Sequence, residues 1–156
     1  MNEPITKRPV MTPKHIYIAG PYRAPNAWEV EQNIRAAEAV AIEVAKLGAY
    51  PQCPHTNTRG YFEHVQADPN FWLEATLEMM RRCDGVFMME TWRQSSGARA
   101  EHEEAKRLKK PIFYGLTQLD FALRVVRSDT DASGTIWLYT GIEAEYTGAL
   151  FARSNA

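Results

Sequence analysis

Long hydrophobic runs are missing from this 156-residue chain. No stretch approaches the roughly 18 apolar residues that a membrane span requires, so no membrane partner is expected. Cysteine is scarce. The two present, Cys53 and Cys83, cannot make a disulfide framework, and a reduced, cytoplasmic setting is the expectation. An excess of either charge is missing too: 18 basic against 19 acidic residues leave a formal net charge of −1. That balance argues against a protein that coats a nucleic-acid polymer. The one basic cluster, Lys106 to Lys110, falls at the expected end of a helix, where cations suit the helix dipole. The familiar nucleotide fingerprints, G-x-x-x-x-G-K-[ST] and G-x-G-x-x-G, are absent. Cys53, His55, His64 and His102 have no paired ligands at finger spacing, so neither a metal nor another cofactor is expected.

What is present is the composition of a folded domain, 45% hydrophobic and 24% charged. Residues 1–14 hold three prolines and read as a loose tail, which leaves 15–156 as a single domain. His15 to Ala19 is a β-branched and aromatic strand that stops at Gly20-Pro21. Asn26 to Leu47 is helical, with Val30, Ile34, Ala37, Ala41 and Val44 at steps of three and four and Gly48 ending it. A short strand over 49–52 follows, then a long polar loop over 54–70 with a short helix around Tyr61 to Val65. Phe71 to Arg82 is a helix, 85–89 a buried strand, 97–108 a helix and 111–114 a strand. A short helix over 119–126 and a strand over 135–139 complete the order. This alternation predicts a parallel sheet of about five strands with helices on both faces. Strands one and three should lie side by side, so that the loops after them, 20–23 and 90–97, meet over one crevice. The tryptophans and the methionines Met79, Met80, Met88 and Met89 read as core.

One charge breaks this pattern. On the 97–108 helix, Ala98, Glu101, Ala105 and Leu108 share a face, with Glu101 near its centre, while His102 points away from it. An inward carboxylate is costly unless it is paired, hydrogen-bonded or facing a cavity. It stands one turn beyond Ser95-Ser96-Gly97, whose hydroxyls can cap the helix and whose N–H groups make an anion site. The helix dipole and nearby donors are expected to keep Glu101 ionised. An ionised, oriented carboxylate suits attack on an anomeric carbon. Gly20 allows close approach of a ligand to the backbone, and Arg23 offers a planar cation to phosphate.

Tyr17 to Arg23, then Cys83-Asp84, then Ser95-x-Gly97-x-x-x-Glu101 resembles the nucleoside 2-deoxyribosyltransferase superfamily, including its deoxynucleoside 5′-monophosphate N-glycosidase branch. The similarity covers about residues 15–115. It implies a flavodoxin-like, doubly wound fold and a reaction at an N-glycosidic bond. Glu101 matches the nucleophile that forms a glycosyl-enzyme intermediate, resolved by water or by a second base. Tyr17 and Gly20, with Pro21, Tyr22 and Arg23, match the sugar- and substrate-contacting end of the first strand. Ser95, with Ser96 and Gly97, matches the phosphate-binding turn of the monophosphate hydrolases. A small nucleotide substrate and a homodimer or higher homo-oligomer are implied, with partner residues drawn from 116–156. Asp120 and Ser128 are candidates there, and the apolar segment 149–152 could pack in the interface.

The chain departs from the family at Thr76, where an Asp that handles the leaving base is usual. Threonine is no acid at neutral pH. His55, Asn57 or Asp68 from the long loop could take the role, with His55 favoured because imidazole titrates near neutrality and a plain loop hydrogen bond as its alternative. The rival reading is a nucleotide-binding or sensing module with little or no turnover. A purely structural domain would leave Glu101 unexplained.

Overall fold

The computed structural model of the chain describes residues 14–61 and 64–127. Strand β1 (His15–Ala19) leads to α1 (Ala27–Lys46), β2 (Tyr50–Gln52), the single helical turn α2 (Pro54–Asn57) and α3 (Pro69–Arg81). Then come β3 (Gly85–Met88), a 3₁₀ turn (Trp92–Gln94), α4 (Ser96–Arg107), β4 (Ile112–Phe113) and α5 (Leu116–Arg127). The strands form a parallel sheet in the order β2-β1-β3-β4. This is an α/β fold whose order follows the flavodoxin-like pattern through its fourth strand. Four strands stand where about five were expected. The fifth, over 135–139, lies outside the described residues, as do residues 1–13, Ser128 and the segment 149–152.

Alternation along the strands divides the core between the two faces. Ile16, Ile18, Phe87 and Phe113 pack with Ala37, Ala41 and Val44 of α1 and with Leu119, Ala122 and Leu123 of α5. Tyr17, Ala19, Val86 and Met88 turn the other way, toward Met80 of α3 and Ala98 and Ala105 of α4. Each fully buried aliphatic side chain contributes about 1.5–3 kcal/mol, so both helical layers are held to the sheet chiefly by apolar contact. The pairing of β1 with β3 is pinned at its start. The Asp84 carboxylate accepts from the His15 N–H at 2.7 Å, and the Asp84 N–H donates to the His15 carbonyl at 2.8 Å. Asp84 therefore pins the start of this pairing, at the end of the strands remote from the crevice.

Local signals explain most element ends. The Asn26 side chain accepts from the Glu29 N–H at 3.0 Å to cap α1, and Gly48 closes it with a φ of 85°. Three sequence expectations change. The loop after β2 begins with a helical turn, because Pro54 at its first position presets φ and the Thr58 hydroxyl donates to the Pro54 carbonyl at 3.0 Å. Helix α3 starts at Pro69 rather than Phe71, because Asp68 caps it through the Asn70 N–H at 2.7 Å. Helix α5 starts at Leu116, where Gln118 Oε1 accepts the Tyr114 N–H at 2.8 Å. Of the tryptophans read as core, Trp28 is 71% exposed, because it lies off the stripe of α1 that carries Ile34 and Ala37. Among the described residues, no helix is long and apolar enough to cross a membrane.

Candidate active site

The adjacency of β1 and β3 brings the two loops together over their C-terminal ends. A cleft of about 420 Å³ opens there. Gly20, Pro21, Tyr22 and Arg23 form one wall, Ser95, Ser96 and Gly97 another, and Glu101 lies among the lining residues with Thr76 and His55. Trp72 and Leu73 of α3 and Pro54 and Thr58 beside α2 complete the enclosure.

Glu101 and Tyr17 stand 84 positions apart in sequence, yet the Tyr17 hydroxyl donates to Glu101 Oε1 at 2.5 Å. Tyr17 reaches it because odd positions of β1 face α4, while Glu101 occupies the inward face of α4. Glu101 is only 7% exposed. Burial pushes its pKa up to about 7, against the opposing pull of hydrogen bonding from Tyr17 and Thr76. The expectation of a firmly ionised carboxylate is thereby corrected: desolvation outweighs the donors. Tyr17 is held well above its ordinary pKa, first by burial and then by the Glu101 charge, so it remains a proton donor across the working range.

The anion-binding turn is built as its sequence indicates. Ser95 Oγ accepts from the Ala98 N–H at 3.2 Å, capping α4. The first N–H groups of the helix, at Ser96 and Gly97, have no partner within the helix by its geometry. Behind the turn, the Trp92 and His102 rings stack with centroids 4.3 Å apart, and His102 Nε2 lies 2.7 Å from the Tyr114 hydroxyl. His102 therefore lies on a different side of α4 from Glu101 and is buried there against the Trp92 ring of the 3₁₀ turn.

Thr76 reaches the cleft, where its hydroxyl stands between two acceptors, the Leu73 carbonyl at 2.9 Å and the Glu101 carboxylate. His55 is 3% exposed, and its Nε2 donates to the Pro21 carbonyl at 2.9 Å. Burial lowers its pKa, although the Pro21 and Gly20 backbone opposes this. Its ring is therefore neutral near pH 7, with its proton engaged on the loop, which is the geometry of a loop-holding hydrogen bond. Asn57 is exposed and absent from the cleft wall. On this single turn, Thr58 faces the cleft instead, three positions on from His55. Asp68 is taken up in capping α3, and Asp120 pairs with Arg124 at 2.8 Å on α5. Sequence reading missed Trp72 as a wall residue, although its spacing of four from Thr76 on one helix was the available signal.

Two glycines matter for different reasons. A Cβ on Gly20 would stand 2.3 Å from Met89 Sδ and 3.1 Å from Met89 Cβ. A Cβ on Gly97 would meet only Ser95 Oγ at 3.7 Å and otherwise enter the cleft. Gly20→Ala is expected to cost about 1–3 kcal/mol by overpacking. Gly97→Ala is expected to raise stability by about 0.5–1 kcal/mol through helix propensity, while weakening ligand binding. Urea unfolding paired with ligand titration checks both signs.

The family described as a Domain of unknown function (DUF7768) matches residues 14–115. No curated protein matches the chain. Among solved structures, the chain is similar to a 2-desoxiribosyltransferase from Leishmania mexicana at 19% identity, with a TM-score of 0.46 over 64% of this chain. The match spans 62% of the length of that protein.

Proposed function

The chain belongs to the DUF7768 family, and for it we propose cleavage or exchange of the N-glycosidic bond of a nucleoside or deoxynucleoside 5′-monophosphate, with Glu101 as the nucleophile. The observation that carries this reading is the buried Glu101 carboxylate, oriented by Tyr17 at 2.5 Å beside a capped helix N-terminus. The motifs linking Tyr17, Gly20, Ser95, Gly97 and Glu101, similar to those of the nucleoside 2-deoxyribosyltransferase superfamily, support the same reaction.

In the first step a Glu101 oxygen forms a bond to the anomeric carbon as the carbon–nitrogen bond breaks. The base leaves with the bonding pair and takes a proton from solvent. Water then attacks the glycosyl ester, its proton passes to solvent, and the sugar phosphate leaves with the carboxylate restored. A second base in place of water gives exchange. The phosphate meets the Ser95 hydroxyl, the first N–H groups of α4 and Arg23, a cation with no carboxylate partner among the described residues.

Base release from a panel of nucleotides, followed by chromatography, tests the proposal. Only the ionised carboxylate attacks, so kcat/KM is expected to fall about tenfold per pH unit below the Glu101 pKa of about 7 and to level above it. No free base from any nucleotide, or equal release from Glu101→Gln, sinks the reading.

Thr76 favours a second reading, a nucleotide-binding module with weak turnover. Its hydroxyl, placed against the Leu73 carbonyl and Glu101, is no acid at neutral pH and cannot protonate a leaving base. Thermal stabilisation by nucleotides without base release identifies that case, since a ligand confined to the native state raises the melting temperature.

A further inference from the structure

A second hollow of about 660 Å³ adjoins the cleft. Tyr22, Arg23 and Trp72 line both, so they form the wall between two neighbouring compartments. This wall is held from both sides. His55 Nε2 donates to the Pro21 carbonyl at 2.9 Å, and Asn33 Nδ2 donates to the Tyr22 carbonyl at 3.1 Å. The second hollow is largely apolar, floored by Ala27, Val30 and Ile34 of α1 and by Ala67. Its own charges satisfy one another: Glu31 bonds to Arg59 at 2.6 Å and to Arg35 at 2.8 Å. Arg23, exposed on the shared wall, is the cation left to meet a ligand.

An anionic group at Arg23 with a planar, weakly polar group on each side is the ligand that this arrangement matches. We infer, on the footing of the reaction proposed for Glu101, that the substrate is a dinucleotide joined through its 5′-phosphates. The nucleoside to be cleaved occupies the first cleft, the phosphates cross at Arg23, and the second base seats in the α1-floored hollow beside Trp72. A monophosphate fills the first compartment alone. Two compartments of small-molecule size and a net charge of −1 favour a dinucleotide over a nucleic-acid chain, which needs a basic track.

Isothermal titration of the full chain carrying Glu101→Gln, which binds without turnover, tests the inference. The probes are a nucleoside 5′-monophosphate and the matching 5′,5′-dinucleoside diphosphate. The dinucleotide is expected to bind about tenfold more tightly, the worth of one stacked base. Ala27→Trp, which fills the hollow from the exposed start of α1, and Val30→Phe are expected to bring that affinity ratio down to about one. Equal affinity for both probes, or a ratio that neither filling variant lowers, overturns the dinucleotide inference while leaving the Glu101 reading standing. Failure of both probes to bind overturns the two together.

Discussion

Glu101→Gln is expected to lower base release by at least about a thousandfold, the scale on which removal of a nucleophile acts. The same substitution is expected to stabilise the fold. Folding moves the Glu101 pKa from its ordinary 4.5 to about 7, so the native state holds the proton more tightly than the unfolded chain does. The stability that this proton confers is complete below about pH 4.5 and is lost as pH rises through about 7. At about 1.4 kcal/mol per unit, the wild-type chain gives up about 3 kcal/mol on the way to pH 8. A glutamine amide keeps an acceptor for the Tyr17 hydroxyl and never ionises. The variant should therefore be about 3 kcal/mol more stable at pH 8 and no more stable at pH 4. Urea unfolding at the two pH values checks this. A variant less stable than wild type at pH 8 contradicts the account of Glu101 as a desolvated carboxylate.

Tyr17→Phe is expected to slow base release by roughly tenfold or more at pH 7, the worth of one hydrogen bond to a charged group. Phenylalanine fills the same buried space beside Val86 and Ala98, so packing is preserved. What is lost is the donor at 2.5 Å that favours the ionised form of Glu101. Its removal raises the Glu101 pKa further, and the acid limb of the rate profile moves to higher pH. Activity should recover toward the wild-type value by pH 9. A pH-independent loss would assign Tyr17 a purely structural part. Stability should fall by about 1–3 kcal/mol above pH 7, where a buried carboxylate is left short of a partner, and by less in acid.

The order of elements was legible because each strand and helix announces itself through its own periodicity. His15 to Ala19 alternates between two faces, and Ile34, Ala37, Ala41 and Val44 recur at helical spacing. Gly20 and the 95–97 turn could be placed over one crevice from the rule that right-handed crossovers impose. The turn at Pro54 and the early start of α3 at Pro69 were carried by proline and capping chemistry inside a segment that reads as polar loop. Asn57 and Thr58 could not be told apart as cleft residues, because one turn of helix is too short for a periodic face.

Sequence by itself determined that an acidic side chain lies on the inward stripe of a helix that follows a serine-rich turn, since helical geometry is local and repeats every 3.6 residues. Only the tertiary structure decided that this carboxylate meets Tyr17, that burial lifts its pKa to about 7, and that Arg23 and Trp72 stand between two hollows. Distance across the fold and loss of solvent are sums over every element packed around a group. No single segment of the chain carries them.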